Sequence, residues 1–164
     1  MSGSDLSRLL LALQFTDSSF PSGMYTLSHG LEGLAQRGQV DGRRLPLVLH
    51  SMLRHAIGPA DSVALALAWA ATREHGDRDA AALMEAVTRI DRRLHATRLT
   101  RELRDGATRT GKQVLDLAAE LLDDPVVAAW NAHVRARRSP GSQSVVMGLV
   151  YARGGLDQRD AVAA

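Results

Sequence analysis

The chain has 164 residues, 45% of them hydrophobic, with 20 Lys plus Arg against 18 Asp plus Glu and no cysteine. That length fits one domain able to bury its own core, and the apolar fraction excludes a disordered chain. The missing cysteine excludes a disulfide framework, thiolate zinc sites and cysteine nucleophiles, and a formal charge of +2 gives no strong reason to expect nucleic acid. The pI of 9.6 reflects arginines, since Lys112 is the one lysine. Met1-Ser2-Gly3-Ser4-Asp5 has no basic region before an apolar run, so it does not read as a signal peptide, and no apolar stretch is long enough to span a bilayer. A cytoplasmic protein is expected.

Helical spacing runs nearly throughout, and period-two alternation is scarce. Leu6, Leu9, Leu10 and Leu13 mark a first short helix, with Asp5 or Ser4 as its cap. Phe20-Pro21-Ser22-Gly23 is a break: Pro21 fixes its own φ and pushes Phe20 toward extended backbone. Ser22 is placed to cap a second helix carrying Met24, Leu27, Leu31 and Leu34, which Gly38 ends. Leu45, Val48 or Leu49, Met52 and Ala56 mark a third helix, with Pro46 in its first turn and Gly58-Pro59 as its stop.

A fourth helix starts near Pro59 and carries Val63, Leu67, Ala70 and Ala71; its alanines leave room for close packing. After His75-Gly76-Asp77, Asp77 is the expected cap of a segment with Leu83, Val87, Ile90 and Leu94. The step from Leu94 to Leu99 predicts a kink or boundary before Leu103, Val114, Leu117 and Leu121. Asp123-Asp124-Pro125 ends that segment. Val126, Val127, Trp130 and Val134 form a shorter helix, residues 137–142 a loop, and Val145, Val146, Leu149 and Val150 an apolar helix ending near Gly154-Gly155. Asp160 to Ala164 begins a further amphipathic element. The expected fold is a single-domain all-α helical bundle over residues 1–164.

Catalytic signatures do not assemble. His50 and His55 are five residues apart and diverge around a helix; the other histidines are isolated, so no metal site is expected from this chain alone. Gly106 to Lys112 has a glycine, then Gly-Lys, but Gln113 stands where a P-loop needs Ser or Thr, and a helix precedes it. A helical glycine at Gly111, admitting a close neighbour, is favoured. There is no Gly-x-Ser-x-Gly elbow. No catalytic residue and no cofactor are assigned.

Two constellations remain. Tyr25, His29, Glu32 and Gln36 fall at steps of four, three and four and share one helical face, either a solvated face or a partner surface. Arg89, Arg92, Arg93, Arg98, Arg101, Arg104 and Arg109 crowd the long segment among Asp91, Glu102 and Asp105. They read as a salt-bridged solvent face or as a docking face for an acidic partner. Nucleic acid is the weaker reading, because few aromatics are interleaved for stacking.

The segment Leu9-Leu10, Asp17-Ser18, Phe20-Pro21, Gly23, Ser28 and Gly30-Leu31-Glu32 resembles the N-terminal signature of the urease accessory protein family UreF. Glu102-Leu103-Arg104, Gly106, Ala107 and Gly111-Lys112 resemble a second family motif, with Lys112 where arginine is common and Gly106 in place of alanine. Asp61 and Gly148-Leu149 are weaker matches. The resemblance implies an all-α, homodimeric, non-enzymatic scaffold. With UreD (also called UreH) it would recruit the GTPase UreG to apo-urease for GTP-dependent nickel insertion, without membrane or nucleic acid. It also implies a core without the family's C-terminal tail. It makes Tyr25, His29, Glu32, Arg104 and Lys112 the candidate partner-binding residues. Asp17, Ser18, Pro21, Gly23, Ser28, Gly30 and Gly111 would then shape the motifs. The alternative from another class is a helical regulatory domain binding nucleic acid through its arginines.

Overall fold

The computed structural model describes residues 3–17, 19–23, 28 and 30–164, and every regular element among them is helical. The centre is α8 (Gln143–Arg153), buried without interruption from Val145 to Ala152. A helix apolar on every side needs neighbours all round. Its most extensive partner is α4 (Val63–His75), whose buried Ala64, Ala68 and Ala71 let the two backbones approach. Gly148 meets them there: a Cβ on it would strike the Leu65 carbonyl and lie 3.0 Å from Ala68 Cβ. Around this pair stand α5 (Ala80–Thr97), α6 (Arg101–Leu122), α7 (Pro125–Arg135) and α9 (Gln158–Ala163). Trp130, Tyr151, Leu83, Leu115 and Leu149 are the largest side chains in the core.

The caps explain most boundaries. Thr100 accepts from Leu103 N at 3.2 Å and starts α6, which separates it from α5. Asp124 accepts from Val126 N and Val127 N and starts α7, with Pro125 in the first turn. Asp157 caps α9. Each such cap contributes about 1 kcal/mol. The cap of α5 is Asp79, which accepts from Ala82 N at 2.9 Å, and not the expected Asp77. Asp77 instead takes a hydrogen bond from Arg153 Nη1 at 2.8 Å, and Arg153 Nε donates to Asp124 at the same distance. One arginine at the end of α8 thus ties together the turns on either side of α5 and α6.

Three expectations are corrected. First, α1 (Gly3–Thr16) starts ahead of Ser4 and Asp5, so neither is its cap. Second, Gly58-Pro59 does not stop a helix. From α3 (Leu45–Met52) the chain runs through a π-helical segment, Leu53–Ser62, straight into α4. The wider π turn accommodates a proline that would break an α-helix. Gly58 is part of that solution, since a Cβ there would lie 2.7 Å from the Leu53 carbonyl oxygen. Third, the helix expected from Ser22 through Gln36 is interrupted. Gly30 sits in the left-handed region at φ 89, and α2 spans only Leu31–Gln36. Its C-terminal end is as read: Gly38 N bonds Ala35 O at 2.9 Å and Gln39 N bonds Leu34 O at 2.9 Å, the paired bonds of a Schellman ending.

Candidate functional site

Between α1 and α2, the described residues of the first motif form turns. Asp17 Oδ1 accepts from Ser19 N at 2.6 Å, and Asp17 O from Phe20 N at 3.0 Å, a side-chain turn of the kind aspartate favours. Across Pro21, Ser22 N bonds Phe20 O at 2.6 Å, a three-residue turn compatible with the φ of proline. Phe20 packs on Phe15 with ring centroids 4.9 Å apart and so anchors the loop to the core. Ser28 O accepts from Leu31 N at 3.0 Å ahead of Gly30. Ser18, Tyr25 and His29 lie outside the described residues. Glu32 is exposed in the first turn of α2.

The second motif lies on α6. Gly111 is buried where the loop before α8 crosses: a Cβ on it would strike the Gly141 carbonyl and lie 2.6 Å from Gln143 N. Lys112 is exposed beside that crossing. Arg104 turns back to α5, and its Nη1 donates to Arg98 O at 2.5 Å and Leu99 O at 3.2 Å. It therefore satisfies carbonyls at the end of a helix that would otherwise lack partners. The two motifs meet at one point. Gly23, at φ 75, is so close to α6 that a Cβ would lie 3.2 Å from Gln113 Oε1, next to Lys112. No ion pair or hydrogen bond joins Glu32 to Arg104 or Lys112.

Two buried polar networks hold the loops that flank these motifs. Asp91 is fully buried and accepts from Ser139 Oγ at 2.6 Å, Gly141 N at 2.6 Å and Ser142 N at 2.9 Å. Sequence reasoning placed Asp91 only among the interspersed surface charges. Its signal was its register, four residues after Val87 and eight after Leu83 on the apolar stripe of α5. Asp61, in the π segment, accepts from Arg98 Nη2 and Ser144 Oγ, each at 2.6 Å.

Apolar surface is the other notable property. Leu6, Leu9, Leu10 and Leu13, which mark α1, face outward at 42% to 56% exposure, while Leu11, Ala12 and Phe15 turn inward. α3 and the π segment have no buried residue, and Leu47, Leu49, Leu53 and Ile57 are exposed on them. The accessible surface is 10100 Å². A compact monomer of 17.7 kDa exposes about 7,900 Å² by the usual size scaling. The surplus exceeds the roughly 800 Å² that one partner contributes to an ordinary interface. Among the described residues no three His, Asp or Glu side chains gather to hold a metal ion, and no helix is long and apolar enough to cross a membrane.

Part of the arginine face is committed to contacts within the chain, while Arg89, Arg93, Arg101 and Arg109 are exposed. Arg98 pairs with Asp61, Arg104 holds carbonyls, and Arg92 Nη2 donates to Arg138 O at 2.9 Å. The nucleic-acid reading gains no support from this.

The family model described as UreF matches residues 40–164. This chain belongs to the UreF family. It is similar to Urease accessory protein UreF of Trichodesmium erythraeum, 32% identical over all of this chain and 68% of that relative. It is also similar to Urease accessory protein UreF 2 of Brucella canis, 30% identical over 97% of this chain and 63% of the relative. Urease accessory protein UreF of Yersinia pestis is 29% identical over 99% of the chain. The chain thus spans about two thirds of the length of the first of these relatives and slightly less of the second. No solved structure matches it significantly. UreF is a family of accessory proteins and not of enzymes. The match to the family model begins after the first motif, whereas the alignment to the Trichodesmium relative takes it in.

Proposed function

We infer that this UreF-family chain is the core of a urease maturation scaffold working in the cytoplasm. As a homodimer it binds UreD/UreH and recruits the GTPase UreG to apo-urease, supporting GTP-dependent nickel insertion as a chaperone of metallocentre assembly. Nickel is cargo here, and no resident cofactor is assigned. The observation that carries the reading is family membership over most of the chain. The outward leucines of α1, α3 and the π segment support it, since apolar surface of this extent marks contact with other chains.

Tyr25, His29 and Glu32 are assigned to the surface facing UreG or the dimer axis, and Arg104 and Lys112 to a second contact region. Because Gly23 touches α6 beside Lys112, the first motif and the exposed end of the second form neighbouring patches. Co-purification with tagged UreD and UreG, from a host making all three chains, tests the reading. Retention of this chain is expected, as is its loss on changing Leu10 and Leu13 to Gln with helicity unchanged. Failure of the chain to enter the complex overturns the reading. Tyr25→Ala is expected to lower urease activation with folding intact; unchanged activation removes Tyr25 from the surface.

A further inference from the structure

A groove opens between α5 and the last turn of α7, and neither the outward leucines nor the motif residues line it. Its walls carry Arg89 and Arg92 from α5 and His133 and Arg138 from α7 and the turn after it, against one carboxylate, Glu85. Arg92 donates to Arg138 O at 2.9 Å, so the two walls are stitched at the backbone. Arg89 reaches Glu85 only at 3.7 Å, an exposed pair one helical turn apart. The Arg138 guanidinium has no carboxylate or carbonyl partner among the described residues. His133 lies between them, 3.0 Å from Thr88 Oγ1 and stacked on Trp130 at 5.2 Å. Burial, and then the charges of Arg138 and Arg92, hold its imidazole below the usual histidine range.

Compensation of the α7 dipole is the simplest use of cations here, but one or two residues in the last turn suffice for it. Arg89 and Arg92 go beyond that use, because they lie on α5 and not in the last turn of α7. Arg137 holds the left-handed C′ position at φ 59, in the turn that carries Arg138.

We propose that this groove docks an acidic segment of a partner protein, with carboxylates gripped by Arg89, Arg92 and Arg138. Guanidinium groups take carboxylates in a two-pronged, oriented way, and three of them along an open trough match successive acidic side chains on one peptide. A nucleic-acid strand is the poorer match, because among the described residues no Phe, Tyr or Trp lines the groove, and Trp130 beneath His133 is fully buried. The inference is independent of which proteins cover the leucine faces.

Fluorescence anisotropy with a labelled peptide of alternating Glu and Ala tests it, using the whole chain. Combining Arg89→Glu with Arg138→Glu should weaken binding by about tenfold or more, with the helical circular dichroism preserved. Combining Arg101→Glu with Arg109→Glu, the same charge change on α6, should leave binding unchanged. Equal weakening by both pairs means general charge attraction and overturns the proposal, as does no weakening by either. Displacement of the peptide by inorganic phosphate, where sodium chloride of equal ionic strength does not displace it, means a free-anion site and also overturns it.

Discussion

Arg98 Nη2 lies 2.6 Å from Asp61 Oδ1, and Ser144 Oγ donates to the same oxygen at 2.6 Å. The end of α5, the π segment and the first turn of α8 therefore converge on one carboxylate. Both members of the ion pair are mostly buried, with side-chain exposures of 15% and 23%. Removing the arginine leaves a desolvated carboxylate with a single neutral donor. Arg98→Ala should cost about 2–3 kcal/mol, and Ser144→Ala about 1 kcal/mol. Urea unfolding of the single and double variants should show costs that do not add, because the two donors share one acceptor. Strict additivity would mean that they act separately.

Asp91 does for the loop before α8 what Asp61 does for the π segment. It answers two backbone N–H groups, of Gly141 and Ser142, that have no helical or strand partner at that point. Asp91→Ala would strand both in the interior, at about 1–3 kcal/mol each. The variant is expected to be destabilised by roughly 3 kcal/mol or more. Ser139→Ala removes only one donor and should cost about 1 kcal/mol. Native-state hydrogen exchange at residues 141 and 142 is the decisive readout. It should speed up in Asp91→Ala even where the rest of the bundle stays protected, and unchanged protection there would show that the loop is held by something else.

The helices with strong local punctuation were legible in the sequence. Asp123-Asp124-Pro125 and the long step from Leu94 to Leu99 both mark real boundaries, because a cap or a broken stripe is a local signal. Gly58-Pro59 misled for the same reason. Local rules say that proline breaks a helix, and nothing local says that a widened turn will carry the chain through. The leucines of α1 show a second limit: spacing tells which residues share a face but not whether anything covers it. Asp91 and Asp61 show a third. Their partners come from 37 to 83 residues away, and charge composition cannot show that a carboxylate meets distant hydroxyls, amides or a guanidinium.

Gly111 and Gly33 should respond oppositely to alanine. Both are helical, so alanine gains about 0.5–1 kcal/mol of intrinsic helix preference at either position. At Gly33 a Cβ meets nothing within 4 Å, and the gain should survive as a small stabilisation. At Gly111 it collides with the backbone of Gly141 and Gln143, neither of which can swing aside as a side chain would. That overpacking costs typically 1–3 kcal/mol and should outweigh the gain. Thermal unfolding of the two variants distinguishes them, and a stabilised Gly111→Ala would refute the close approach of the loop to α6.

Tyr151 should make the protein sensitive to alkali. Its side chain is fully buried and its hydroxyl has no hydrogen-bond partner among the described protein groups. Burial pushes its pKa from 10.0 up to about 12. Between those values the unfolded chain has released a proton that the folded chain retains. The stabilisation is therefore complete below pH 10 and is lost as pH rises toward about 12. The shift corresponds to roughly 2–3 kcal/mol at its limit. Tyr151→Phe keeps the ring and removes the titrating group. Near neutral pH it should be close to neutral in stability, because an unpartnered buried hydroxyl contributes little. At about pH 11, urea midpoints should fall less in the variant than in the parent. Equal alkaline losses would show that Tyr151 ionises without opening the core.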